Sequence, residues 1–309
     1  MNKVCVLGSM NMDLVLKVSN LPKVGETILS KSFEKISGGK GANQAVAARR
    51  CGAEVTMISK IGTDENGRIL KDKLEEDNID INFVFEDKEE ETGMAIIMVN
   101  ENGNNSIIVV PGSNMTINES EIDDSIEALK NSDILISQFE TPEAITLKAF
   151  KKAKEFGKIT ILNPAPAKNI SEELLSVTDI IVPNETEAEL LTGVKIESLE
   201  DAKWAADIFL EKGVKFAIIT LGSKGAAVIG KDFYELVPAY KVDAIDTTAA
   251  GDSFIGGLSS KLDIKNINKE NIIKAVNFGN RVSSLAVQRK GAQTSIPYLK
   301  EVVEIYGED

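Results

Sequence analysis

Short apolar runs rich in valine and isoleucine recur along the chain: "VCVL" from Val4, "VTMISKI" from Val55, "DILIS" from Asp133, "ITIL" from Ile159, "DIIVP" from Asp179 and "FAIIT" from Phe216. Between most of them lie longer segments of helical character, such as "NQAVAARRC" and "SLEDAKWAADIFLEKG". Strands that alternate with helices in this way predict a parallel α/β sheet. Two stretches break the rhythm. Leu14 to Ile36 contains "LVLKV" and "GETILS" with little helical periodicity, and Thr92 to Gly112 reads as two β-rich runs around a polar Asn/Gly turn, a hairpin signal. They predict a small β element, which is either a lid over a site or an extension of the main sheet.

Polar residues stand directly after most of these runs. After "VCVLGS" come Asn11 and Asp13, after "DILISQ" comes Glu140, after "ITIL" Asn163, after "IIVP" Asn184 and Glu187, and after "FAIIT" the turn "LGSKG". Open parallel sheets bind ligands at the carboxyl ends of their strands. This line of polar and glycine residues therefore reads as one continuous crevice.

At about 150 residues per domain, a chain of 309 residues suggests one or two domains. Its 43% hydrophobic and 27% charged content is that of a soluble globular protein. No apolar run is long enough to span a bilayer and the N-terminus lacks a signal-peptide core, so a cytoplasmic protein without membrane attachment is expected. Cys5 and Cys51 lie in apolar surroundings without metal-ligand spacing and read as reduced core thiols. There is no histidine, which removes His-based triads, His general bases and nearly every zinc-enzyme pattern. Acid–base chemistry then falls mainly to carboxylates and lysines. A net charge of −13 argues against broad binding to a nucleic-acid backbone. A small anionic ligand would need compensation from backbone amides, a lysine or a metal ion.

The usual nucleotide fingerprints, G-x-G-x-x-G and G-x-x-x-x-G-K-[ST], are missing. Asn11 and Asp13, two apart in extended chain, share a face and suit adjacent hydroxyls of a polyol, although by themselves they are better accounted for by a strand-end turn. In "SGGKGANQAVAARRCG" paired glycines let the backbone approach a ligand, Lys40 supplies a mobile cation and Asn43 sits in the first turn of an amphipathic helix ended by Gly52. "NETEAELLTG" is either a helix cap with acidic first-turn residues or a pair, Asn184 and Glu187, facing phosphates and hydrated Mg²⁺. In "DAIDTTAAGDSFIGG", Asp252 follows three small residues and opens an apolar helix. It is either a cap or an acid beside backbone N–H groups that an incoming anion can touch.

In order and spacing, "GGKGANQA", "NPAPA", "PNETEAE", "TLGSKG", "DTTAAGD" and "RKGAQTS" resemble the PfkB carbohydrate kinase family over essentially the whole chain, and the first of them its ribokinase branch. The resemblance implies a ribokinase-like three-layer α/β/α sandwich with a mainly parallel central sheet and a small β-sheet lid. The α/β body would comprise residues 1–13, 37–91 and 113–309, and the lid 14–36 and 92–112, with lid strands pairing two subunits into a homodimer. The implied activity is ATP-dependent phosphorylation of D-ribose at its 5-hydroxyl, with Mg²⁺ and an activating K⁺.

Carried over by motif, Asn11, Asp13, Gly39, Lys40, Asn43 and Glu140 match sugar-binding positions, and Ala95 and Ile97 match apolar lid residues. Asn184, Thr220, Gly222, Ser223, Gly225 and Asn280 match nucleotide-binding positions, with Glu187 near the metal. Asp246, Thr248, Ala286, Arg289, Gly291 and Ser295 match a monovalent-cation loop. Asp252 is then a general base, and Ala250, Gly251 and Asp252 offer backbone N–H groups to the transferring phosphoryl group. Ala249 stands where the family commonly has glycine, which matters little if φ stays negative. Thr294 replaces a common proline, which is expected to loosen the cation loop. The alternatives are a kinase for another small sugar or a nucleoside, and a catalytically silent sugar or nucleotide sensor on the same fold; a Rossmann dehydrogenase is the weakest.

Overall fold

The computed structural model describes residues 1–102 and 104–308. In chain order its strands are β1 (Lys3–Leu7), β2 (Asn11–Lys17), β3 (Ser32–Gly38), β4 (Glu54–Gly62), β5 (Asp80–Asp87), β6 (Met94–Val99), β7 (Asn105–Val110), β8 (Ile134–Ser137), β9 (Ile159–Leu162), β10 (Ile180–Ile181), β11 (Phe216–Thr220), β12 (Gly225–Gly230) and β13 (Phe233–Pro238). The helices are α1 (Lys40–Arg50), α2 (Glu65–Glu76), α3 (Glu119–Asp124), α4 (Ile126–Asn131), α5 (Glu143–Glu155), α6 (Glu172–Ser176), α7 (Glu185–Thr192), α8 (Leu199–Glu211), α9 (Ala250–Lys261), α10 (Lys269–Ala286) and α11 (Leu299–Tyr306).

Nine strands form the main sheet in the order β13-β12-β11-β10-β9-β8-β1-β4-β5, parallel from β5 through β11, with the hairpin β12–β13 added antiparallel at one edge. Side chains alternate between its faces. Val4 and Val6 join one buried cluster with residues of α1, α2, α9 and α10, while Cys5 and Leu7 join another with residues of α3 to α8. This is the expected three-layer sandwich. Both cysteines are free and buried.

The second sheet is separate, in the order β3-β2-β6-β7, rather than an extension of the first. "GETILS" stays irregular, because the positions opposite β2 are filled by Ser32 to Gly38. The hairpin β6–β7 pairs antiparallel as expected, and its turn residue Gly103 lies outside the described residues.

Helix α1 is buried from Gly41 through Ala48, not amphipathic as its sequence suggests. Its small side chains let it sit between the sheet and α9. A Cβ at Gly256 of α9 would lie 2.3 Å from Ala47 Cβ and 2.6 Å from the Ala48 nitrogen, so the two helices touch at backbone distance. A Gly256→Ala protein should therefore lose about 1–3 kcal/mol of stability by overpacking, read as a lower denaturant midpoint; an unchanged midpoint would show that the helices can part freely.

Candidate active site

The carboxyl ends of the central strands and the starts of α1, α7 and α9 converge on one crevice. Asn11 opens β2 and is 4% exposed; its Oδ1 accepts from Asn114 Nδ2 at 2.7 Å. Asp13 follows on the same face, and Gly38 opposite Asn11 has no room for a side chain because a Cβ there would meet Asp13 Oδ2 at 2.4 Å. Ala95, directly beside Asp13 in the register, and Ile97, one step on beside Val15, share that face. Gly39 carries φ +90°, and a Cβ there would sit 2.7 Å from the Asn11 nitrogen. It precedes α1 without a capping side chain. Glu140 takes that role: its Oε2 accepts from the Lys40 N–H at 3.1 Å, from Asn11 Nδ2 at 3.5 Å and, in a short contact, from Ser9 Oγ.

Three carboxylates act on one cation here, and a fourth, Asp13, lies beside two of them. Burial pushes Asp13 up to about 7, and the charges of Glu140 and Asp252 add to the effect. For Lys40, burial lowers the pKa but the carboxylates of Asp252, Glu140 and Glu187 outweigh it, so the ammonium is held above its ordinary value. Burial, with the Asp252 charge, also raises Glu187.

Asp252, 8% exposed, lies in the first turn of α9 with both oxygens engaged. Asn43 Nδ2 donates to Oδ2 at 3.0 Å and Gln44 Nε2 to Oδ1 at 2.9 Å. Of the three N–H groups expected to face a phosphoryl group, that of Ala250 donates to Thr247 O at 3.1 Å. Those of Gly251 and Asp252 have no acceptor among the described residues, and a Cβ added at Gly251 would meet nothing within 4 Å. Ala249 departs from expectation. Its φ is +58°, a left-handed conformation that costs an L-residue on the order of 1–2 kcal/mol, spent on the sharp entry into α9.

Two adjoining clefts meet at this helix start. One, of about 200 Å³, is lined by Lys40, Asn163, Glu187, Ala250, Gly251 and Asp252. The other, of about 380 Å³, brings together Asn184, Thr220, Gly222, Gly225, Gly251 and Asn280. Ser223 stands in the same turn but is exposed and outside that lining. Asn184 and Glu187 form a capping box on α7, with Asn184 Oδ1 accepting from the Glu187 N–H at 2.8 Å and Glu187 Oε2 from the Asn184 N–H at 2.9 Å. The cap is thus real, and both residues still line the crevice. Asn280 Nδ2 ties α10 to the end of β13 through Val237 O and Pro238 O.

The segments 245–248 and 286–295 are also joined. Ile245 and Asp246 donate their N–H groups to Val287 O, and Asp246 Oδ2 accepts from the Gly291 N–H at 2.9 Å. Asp246 Oδ1 holds Thr248 through its N–H and hydroxyl, which outweighs burial and leaves the carboxyl below its ordinary pKa. Ala286 O accepts from the Arg289 N–H, while Arg289 itself pairs with Glu301. Ser295, fully buried, donates its hydroxyl to Ala292 O. The carbonyl oxygens of Asp246, Thr248, Arg289 and Gly291 accept no hydrogen bond from described residues, which suits a hard monovalent cation. The Thr294 hydroxyl donates to Lys290 O at 3.0 Å across this turn. Among the described residues no group of three or more acidic or cysteine side chains forms a metal cage, so a divalent ion here would keep most of its water.

Gln44, Gln138, Asn114 and Ser9 also build the site, although sequence reasoning assigned them nothing. Their one signal is position, since each stands at a strand end or beside the paired glycines. The pfkB family carbohydrate kinase model matches residues 1–299. A ribokinase of Staphylococcus aureus (strain COL) is 45% identical over 305 residues, covering 98% of this chain and 99% of its own length. One of Haemophilus influenzae is 42% identical over 299 residues, 97% of this chain and 96% of its own. The structure of Arabidopsis thaliana ribokinase complexed with ribose and ATP superposes with a TM-score of 0.92 at 32% identity, over 100% of this chain and 99% of that one. With a matching fold, matching coverage and this crevice, the chain belongs to the PfkB family of carbohydrate kinases.

Proposed function

We propose that this chain phosphorylates D-ribose at its 5-hydroxyl with ATP, giving D-ribose 5-phosphate and ADP, as the relatives named ribokinase and the ribose- and ATP-bound relative support. The observation that carries the reading is Asp252, a carboxylate clamped by two amides at a helix start whose unused N–H groups open on the same crevice. Asn11, Asp13, Gly39, Asn43 and Glu140 grip the sugar hydroxyls under Ala95 and Ile97. Asn184, Thr220, Gly222, Gly225 and Asn280 border the nucleotide.

As the O–H bond of the 5-hydroxyl breaks, its proton passes to Asp252 and its oxygen bonds the γ-phosphorus. The bond to the β,γ-bridging oxygen breaks and ADP leaves. The N–H groups of Gly251 and Asp252 meet the charge on the transferring phosphoryl group, and Lys40 offsets the surrounding carboxylates. Glu187 is assigned to the water shell of a Mg²⁺ ion, which would supply neutralisation of phosphate charge when bound. K⁺ is assigned to the loop of Asp246, Thr248, Ala286, Arg289, Gly291 and Ser295.

We assign a cytosolic location, where buried thiols such as Cys5 and Cys51 stay reduced. A homodimer through the small sheet fits edge strand β7, whose consecutive Ile107, Ile108, Val109 and Val110 are each 40–54% exposed on a strand paired on one side only.

ADP release should depend on D-ribose and rise when K⁺ is added; turnover with adenosine or fructose and none with ribose would overturn the acceptor. Asp252→Asn should lose roughly 10²–10⁴-fold in kcat with nucleotide binding retained by calorimetry, and wild-type turnover in the folded variant would sink the general base. Asp13 generates a pH test. Its folded pKa, about 7, exceeds the unfolded value of 3.8, so the folded protein keeps a proton that the unfolded chain has lost between these values. Stability contributed by that proton is full below pH 3.8 and lost as pH rises through 7. Asp13→Asn should therefore gain melting temperature over wild type at pH 8 relative to pH 5, while its KM for ribose rises roughly 10–100-fold from a lost charged hydrogen bond. A pH-independent melting difference would refute the raised pKa.

A further inference from the structure

We propose that Gln138 and Gln44 form a positioning relay that keeps Asp252 in its proton-accepting orientation, an inference that rests on Asp252 being the base. The orientation of each amide in the relay is fixed by its neighbours. Val182 O can only accept, so Asn163 turns Nδ2 to it, at 3.0 Å, and presents Oδ1 to Gln44. Gln44 therefore has to donate on this side. Its Nε2 lies 3.1 Å from Asn163 Oδ1 and 2.9 Å from Asp252 Oδ1. That leaves Gln44 Oε1 facing Gln138, whose Nε2 donates to it at 2.7 Å.

Gln44 and Gln138 are fully buried and Asn163 is 7% exposed, so no water substitutes freely. At the far end Gln138 Oε1 has no donor and lies against Gly8, where a Cβ would approach within 2.1 Å. The fold tolerates this unpartnered carbonyl, and what it obtains in return is a donor fixed on Gln44 Oε1. Were Gln44 to turn over, its carbonyl would face Asn163 Oδ1 and the Asp252 carboxylate together, and Asp252 would have to turn away. The charged groups that face Asp252 are Lys40 from α1, Asp13 from β2 and Glu187 from α7. None of them hydrogen-bonds it among the described residues, so they set its potential and the two amides set its direction.

Gln138 touches neither proposed substrate, and the test reads kcat, KM and pH together on the full chain. Gln138→Met removes the donor at similar volume and should lower kcat roughly 10-fold, a fraction of a general base's contribution, with both KM values nearly unchanged. Gln138→Glu can donate to Gln44 Oε1 only while protonated. Its kcat should approach wild type at the acid end and fall as pH rises, a descending limb beyond any that wild type and Gln138→Met share. A folded Gln138→Met with wild-type kcat, or pH profiles of the two variants that run parallel, would overturn the relay. If Gln138→Met does not fold, the limb in Gln138→Glu decides alone. Asp252→Asn separates the two layers, because high turnover there removes the base itself, whereas a normal loss there beside an unaffected Gln138→Met removes only the relay.

Discussion

Helices α1 and α9 meet over Gly256, where backbone and Ala47 leave no space for a single methyl group. This close approach is what the site depends on. It sets Asn43 and Gln44, on one helix, against the two oxygens of Asp252 on the other. Three further glycines act toward the same end: Gly41 lets α1 pack on the backbone of Gly8 and Ser9, Gly38 leaves room for Asp13, and Gly39 lets the chain pass Asn11. Small residues in this protein are therefore less about flexibility than about how near two backbones can come.

Around that contact the electrostatics look unfavourable before substrates arrive. Glu140, Glu187 and Asp252 share one nearby cation, Lys40, with Asp13 beside two of them, in a chain of net charge −13. ATP adds more negative charge still. Under the proposed assignment its reception is local, through the N–H groups at the start of α9 and Lys40. The helix-capping carboxylates reconcile the two demands. Glu140 caps α1 and Glu187 caps α7, so each is already stabilised by backbone N–H groups that do not compete for the ligand.

Strain is placed where the chemistry needs a fixed entry angle. Ala249 holds a left-handed conformation just before the N–H groups of Gly251 and Asp252, and the helix behind it is buried for most of its length. The loop of residues 286–295 is drawn toward this entry by the bonds of Ile245, Asp246 and Gly291.

Much of this was legible in the sequence. The recurrence of Val- and Ile-rich runs between helical segments marked the parallel α/β sheet, because strand and helix periodicity are local properties, while its three-layer form followed from the family resemblance. Polar residues after most of these runs marked the crevice, since a parallel sheet gathers its strand ends on one edge. The small β element was legible too, although the residues alone left open whether it stands apart from the main sheet; the buried character of α1, the positive φ of Ala249 and the near-neutral pKa of Asp13 were not. The burial of α1 and the pKa of Asp13 arise from contacts between segments far apart in the chain, as does the Gln44–Asp252 bond across 208 positions. By itself the sequence determined which residue types stand at the ends of which elements. Only the tertiary structure decided which amide faces which carboxylate, because hydrogen bonding and desolvation act through space and fall off within a few ångströms.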